Sequence, residues 1–112
     1  MQGFFFLINP KGEYQKIKVD QILWIEATRG GIVIQTELGS YMASNSLRSF
    51  QKKIWHPHLI QGHRSFMVNW TKVEKFKQRA LYIPFQNKYK MLYCSEGHWE
   101  KLEKIFFILK SD

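Results

Sequence analysis

The apolar segments at the start of this chain are short, and the gaps between them are shorter still. Residues 4–8, 14–19, 22–25, 32–34 and 41–43 are apolar or alternate apolar with polar, and only a few residues part each from the next. A parallel strand pair needs a crossover of about a dozen residues or more. No gap before residue 46 holds one, so sheets built from these segments should be antiparallel. The gaps carry turn chemistry: Asn9-Pro10-Lys11-Gly12, Thr28-Arg29-Gly30-Gly31 and the stretch 37–40. The adjacent glycines are read as positions of positive φ. Ile17 and Val19 alternate with Lys16 and Lys18, as in a half-buried strand, and Ile32-Val33-Ile34 is β-branched.

A helix interrupts the series once. Ser46 has the chemistry of an N-cap, and Leu47, Phe50 and Ile54 then fall on one face, with Lys52 and Lys53 off it. His56-Pro57 stops it. Strand signals resume at Leu59-Ile60, in the stretch GHRSFMVNW at residues 62–70, and at 73–76, 81–83 and 91–93, with Gln86-Asn87-Lys88 as a hairpin tip. In GHRSFMVNW, alternation sends Phe66, Val68 and Trp70 one way and Met67 and Asn69 the other; Asn69 is expected to bond nearby backbone. Ser95 caps a last helix with Glu96 in its first turn and a stripe of Trp99, Leu102, Ile105, Phe106 and Leu109. The expected fold class is mainly β: small antiparallel sheets with one or two short helices.

At 112 residues the chain has the length of one domain, and residues 1–112 show no linker, repeat or low-complexity run. Cys94 is its single cysteine, so no internal disulfide forms, as suits a reducing compartment. MQGFFFLINP lacks a basic lead-in and is too short for a signal or a membrane span. No membrane partner and a cytoplasmic location are expected. The net charge is +8, and residues 45–90 carry ten basic side chains against Glu74 alone. A field of one sign attracts polyanions. The plain alternative is a solvated surface.

Candidate chemistry is sparse. His56, His58 and His63 suggest a metal cluster, but no thiol or carboxylate lies near them in sequence, so no metal or other cofactor is expected. Ser65 and His63 lie two apart on a strand, where side chains are staggered, and the nine Asp and Glu form no acid/base pair. No catalytic residue is assigned, and the chain is not read as an enzyme. Phe76, Tyr82, Phe85 and Tyr89 sit among Lys75, Lys77, Arg79, Lys88 and Lys90, a mixture that can stack single-stranded bases. The reading preferred for these aromatics is core filling.

The order of features is more specific than its parts. Val19-Asp20-Gln21-Ile22-Leu23-Trp24-Ile25-Glu26-Ala27 is similar to a V-D-x-I-x-aromatic-I-E-A pattern. Leu59-Ile60-Gln61-Gly62-His63-Arg64-Ser65-Phe66-Met67-Val68-Asn69 meets a second, F/L-I-x-x-H-R-S-aromatic-x-V-N. Together, over about residues 14–104, they resemble the LytTR DNA-binding domain of bacterial transcription and response regulators, the two-component systems among them. The resemblance implies an elongated stack of small antiparallel sheets that binds double-stranded DNA sequence-specifically, with loops in the major groove. Its contact points fall on Thr28-Arg29-Gly30, on Arg64 of the H-R-S element, and on the start of the last helix with His98. Arg29, Gly30, Arg64 and His98 are therefore the expected base contacts. Arg64 can take O6 and N7 of guanine, worth about 1–3 kcal/mol of discrimination, or else clamp a phosphate.

For backbone phosphates the candidates are Lys52, Lys53, Lys72, Lys75, Lys77, Lys88 and Lys90, together with His63, which alternatively packs at the strand end. The family has Ser-Arg where the last helix begins; this chain has Ser95-Glu96-Gly97, and it has Gly30-Gly31 where many relatives carry side chains. The resemblance also implies a second copy on direct repeats and an accompanying receiver or sensor domain. The alternatives are a β-rich binder of single-stranded nucleic acid and a protein-interaction module whose basic face meets an acidic partner.

Overall fold

A computed structural model describes residues 5–8, for their backbone, and residues 12–106. Phe4, the turn residues Asn9, Pro10 and Lys11, and Leu109 of the expected C-terminal stripe lie outside the described residues. Among those described, the strands are β1 Phe5–Ile8, β2 Gln15–Lys18, β3 Ile22–Thr28, β4 Gly31–Thr36, β5 Ser40–Ala43, β6 Leu59–His63, β7 Phe66–Asn69, β8 Lys75–Lys77, β9 Ala80–Phe85 and β10 Lys88–Tyr93. Helix α1 is Leu47–Lys53 and α2 is Glu96–Glu103. Every pairing is antiparallel, as the short gaps require of strands consecutive in sequence; β3 and β7 pair the same way across a long connection that includes α1. The strands form a pair β1-β2, a five-stranded sheet β5-β4-β3-β7-β6 and a three-stranded sheet β10-β9-β8. The molecule is elongated, 55 × 31 × 29 Å.

The five-stranded sheet is the middle layer, and it is covered on both faces. On one face Ile22, Ile25, Ile32, Ile34 and Met67 meet Ile17, Leu47 and Phe50 from β2 and α1. On the other, Leu23, Trp24, Phe66 and Val68 meet Leu81, Ile83, Leu92 and Leu102 from the three-stranded sheet and α2. A register shift between Ile22 and Trp24 explains how β3 serves both cores. A bulge sets one extra residue against the partner strand, so Leu23 and Trp24 both enter the second core while Ile22 and Ile25 stay in the first. Cys94 is buried there too, and burial pushes its thiol up to about 11 against the opposing pull of Arg79.

Local chemistry sets the ends of the elements. The Ser46 hydroxyl accepts from Ser49 N–H at 3.0 Å, and that of Ser95 from His98 N–H at 3.3 Å. Both are the expected N-caps. Gln86 and Asn87 take φ of 51° and 63°, the two positive values of a type I′ hairpin turn. Pro84 pairs with Tyr89 of β10, while the β8 pairing stops at Tyr82. Its missing N–H therefore costs no ladder bond.

Several expectations shift. Of the Gly30-Gly31 pair only Gly31 has positive φ, 150°. The strand expected at 73–76 is Lys75–Lys77, because Val73 closes a 3-10 turn over Trp70–Lys72. Trp70 opens that turn and lies half-buried, its ring N–H donating to Pro57 O at 2.9 Å, so it does not continue the Phe66 and Val68 face. Ile105 is exposed beyond the end of α2.

Asn69 bonds backbone as expected. It is fully buried, its amide donates to Ile22 O at 3.0 Å, and its oxygen accepts from Thr71 N–H at 3.1 Å. Asn69→Ala removes these bonds and leaves polar groups of β3 and of the 3-10 turn unsatisfied. The expected loss is about 1–3 kcal/mol, read as a lower urea midpoint with an unchanged m-value.

Candidate nucleic-acid interface

Strands β6 and β7 are joined by a two-residue turn, Arg64-Ser65, closed by the pair His63 and Phe66. Phe66 is buried, and its ring leans over Gly62, where an added Cβ would fall 2.4 Å from a ring carbon. A residue larger than glycine at 62 would therefore displace the ring. His63 stacks on Phe66 at 5.9 Å between centroids. Its Nδ1 accepts from Ser65 N–H at 3.1 Å and lies 2.8 Å from the Ser65 hydroxyl. This corrects the stagger expected of His63 and Ser65: a tight turn, not a strand, separates them. Because Nδ1 accepts, the neutral ring carries its proton on Nε2. Arg64 is left at the tip, exposed.

The other two elements are tied to this turn through backbone. Ala27 N–H donates to Ser65 O at 2.8 Å, and Ser95 N–H donates to Gly62 O at 2.9 Å. The first bond sets the end of β3 beside Ser65, and past it Arg29-Gly30 turns the chain into β4. Gly31 is required there: its Cβ would stand 2.0 Å from Ala43 O of β5. Gly30 is open, with nothing within 4 Å of an added Cβ. The second bond docks the N-cap of α2 on β6. His98, half-buried in the first turn, has Nδ1 2.5 Å from the Ser95 hydroxyl. Arg29, Gly30, Arg64 and His98 thus share one end of the molecule.

The family model of the LytTr DNA-binding domain matches residues 12–106. The chain belongs to the LytTR family. Among solved structures, one similar to it is the LytTr DNA-binding domain of a protein described as a methyl-accepting/DNA response regulator from Bacillus cereus. The two agree with a TM-score of 0.71 at 15% identity, over 90% of this chain and 94% of that one. At that identity the likeness is one of fold. No curated protein matches the chain.

The lysines of this LytTR domain are scattered. Because β7 runs away from the Arg64 turn, the 3-10 turn after it lies at the far end, and there Lys72 pairs with Glu37 at 2.6 Å. Lys90 pairs with Glu26 at 2.9 Å and lies 5.2 Å from the Trp24 ring centre, joining the two larger sheets. Lys75 lies 4.6 Å from the ring centre of Tyr89 and 5.4 Å from that of Tyr82. Lys52, Lys53, Lys77 and Lys88 are exposed. The four aromatics split. Phe76 and Phe85 pack against the second core as expected. Tyr82 and Tyr89 instead lie on the outer face of the three-stranded sheet, the latter bonded through its hydroxyl to Glu74. No helix among the described residues is long and apolar enough to cross a membrane.

The histidine cluster also differs from expectation. Asp20, distant in sequence, joins His56 and His58, with ligand atoms all within 4.8 Å of one another. His56 Nδ1 accepts from His58 N–H at 3.0 Å, the bond that His63 makes to Ser65. That bond closes a local turn through the imidazole. Burial, and to a lesser degree His58, lowers the His56 pKa below its ordinary 6.5, with Asp20 opposing. The unfolded chain then takes up this proton first as pH falls. Stability should drop as pH passes down through about 6.5 and level off below the folded value. Urea midpoints at neutral and mildly acid pH should show a larger drop for wild type than for His56→Asn, whose oxygen can still accept from the His58 amide.

Proposed function

We propose that this domain binds double-stranded DNA with sequence preference, in transcription regulation, by placing its turn end in the major groove. The observation that carries the proposal is Arg64. It stands at the tip of a two-residue turn whose flanks are bonded to β3 and to the cap of α2. A guanidinium on so short and well-tied a turn has little backbone freedom to lose on binding, and its fork of donors matches guanine O6 and N7. Arg29 is the second long donor at this end. Gly30 leaves room for close approach of DNA, and His98 faces the same groove from α2. The Nε2–H of His63 takes a phosphate beside it.

The exposed lysines supply the sequence-independent share. Lys72 and Lys90 already have carboxylate partners, and Lys88 follows the Gln86-Asn87 tip at the far end beside Lys72, so these three contribute less than Lys52, Lys53, Lys75 and Lys77. With about four phosphates neutralised, the log–log salt slope is near −4. A second copy on an adjacent direct repeat, with a receiver or sensor domain supplying the signal, completes the proposal.

A second reading has one observation in its favour. Tyr82, Tyr89 and Tyr93 share the outer face of the three-stranded sheet with Lys75 and Lys77, and Tyr93 is 63% exposed. Such a face can stack single-stranded bases.

Duplex selection from a random pool, followed by fluorescence anisotropy at two salt concentrations, separates these readings. Wild type should enrich a motif. Arg64→Ala should flatten preference at one base pair, at a cost of about 1–3 kcal/mol on the preferred site. Equal binding to all duplexes by both proteins would overturn the reading of sequence by Arg64. Tighter binding to single strands would favour the tyrosine face.

A further inference from the structure

One cation near the turn end has no role in the proposal above. Arg79 is the second residue of the turn Gln78-Arg79, which joins β8 to β9. Gln78 has a left-handed φ of 55° there. The Arg79 carbonyl accepts from Cys94 N–H at 2.8 Å, and the next residue, Ser95, is bonded through its own N–H to Gly62. Gly62 is two residues from Arg64. The β8–β9 turn is therefore a third turn at this end, and with the start of α2 its fourth element, two backbone bonds to one side of the Arg64 tip.

The electrostatics of that corner are unusual. Helix α2 has Glu96 in its first turn and no cation there, although this is where it meets the turn end. Arg79, Glu96, Trp99, Glu100 and Glu103 line one shallow depression. Without Arg79 the corner would be acidic and would repel a polyanion. Arg79 is in neither the Lys72–Glu37 nor the Lys90–Glu26 ion pair. It is exposed.

We infer that Arg79 takes a backbone phosphate of the bound duplex, making the β8–β9 turn a fourth DNA contact. The inference rests on the duplex-binding reading above. A side chain inserted in the major groove has a phosphate backbone on either hand, across a groove about 12 Å wide. A turn held to the side of Arg64 meets that backbone rather than the base edges. The guanidinium also offsets the Glu96 carboxylate, which otherwise faces the same strand.

The test compares wild type, Arg79→Ala, Arg79→Lys and Arg64→Ala on the selected duplex and on a scrambled one, by anisotropy across a salt series. Urea midpoints confirm that each variant is folded; the Cys94–Arg79 bond uses only backbone and survives the substitutions. Arg79→Ala should weaken binding to both duplexes alike and make the log–log salt slope less steep by about one. Arg79→Lys should restore the slope. If Arg79→Ala matches wild type in affinity and slope while Arg64→Ala loses preference, the Arg79 inference fails alone. A change in base preference at unchanged slope would also overturn it, since it would mark a base contact. If wild type binds no duplex, this inference and the duplex-binding reading fail together.

Discussion

Strands β3 and β7 lie side by side in the middle layer with both of their faces buried, and neither can slide without uncovering two cores. A shift of one residue would exchange the inward and outward sets of side chains. Trp24 opposite Val68, Ile25 opposite Met67 and Glu26 opposite Phe66 therefore form one register with no near competitor. That register carries Thr28 and Ser65 to the same end of the sheet and lets Ala27 N–H reach Ser65 O. The bulge at Ile22/Trp24 is part of the same solution. It lets β3 feed Trp24 to one core and Ile25 to the other without reversing the strand.

A second device recurs at the ends of β6 and β7. His56 accepts from the amide of His58, His63 from that of Ser65, and Asn69 from that of Thr71. Each is a side chain bonding the N–H two residues on, the local bond that makes Asn and Asp turn formers. A neutral imidazole with Nδ1 as acceptor does the same work. The imidazole beside Arg64 is thus a turn closure first, and its remaining Nε2–H is what it can offer to a ligand. The same bond is present where Asp20 meets His56 and His58. There His56 uses one ring nitrogen to hold the backbone.

What could be read from the linear chain was what local chemistry determines. Ser46 and Ser95 cap helices because a hydroxyl beside a free N–H needs no distant partner, and the Gln86-Asn87 tip turns with Asn87, a residue that tolerates positive φ, in its second position. The antiparallel pairing of consecutive strands followed from gaps too short for crossovers, whereas the β3–β7 pairing joins strands far apart in sequence. The fate of the four aromatics did not follow, since which face of β9 or β10 is inward depends on a register set by other strands. Tyr82 and Tyr89 point outward for that reason, while Phe76 and Phe85 reach the core. The basic block at residues 45–90 was equally opaque. It runs from α1 to β10 and visits both ends of the molecule, so a cluster in sequence becomes scattered charge in space. Glu26 and Glu37, both from the electrically neutral first part of the chain, then take up Lys90 and Lys72.

The turn end combines a fixed scaffold with free tips. Ala27 to Ser65, Ser95 to Gly62 and Cys94 to Arg79 are all bonds between backbone groups. None depends on the side chain of Arg29, Arg64, Arg79 or Glu96, all of which are exposed. The glycines that matter, Gly31 and Gly62, are needed because a Cβ would strike the β5 backbone or the Phe66 ring. Substitutions at the tips therefore leave the core and the ladders untouched, and what they change is which donors and charges the turns present. A fold arranged in this way can carry Glu96 at the start of α2 without loss of stability, since an acidic side chain in a first turn is itself favourable. The separation of scaffold from tip also sets the energy scale of recognition. With the turns tied down before a ligand arrives, the ordering cost on binding is confined to a few side chains, and even modest contacts at the tips are retained as discrimination.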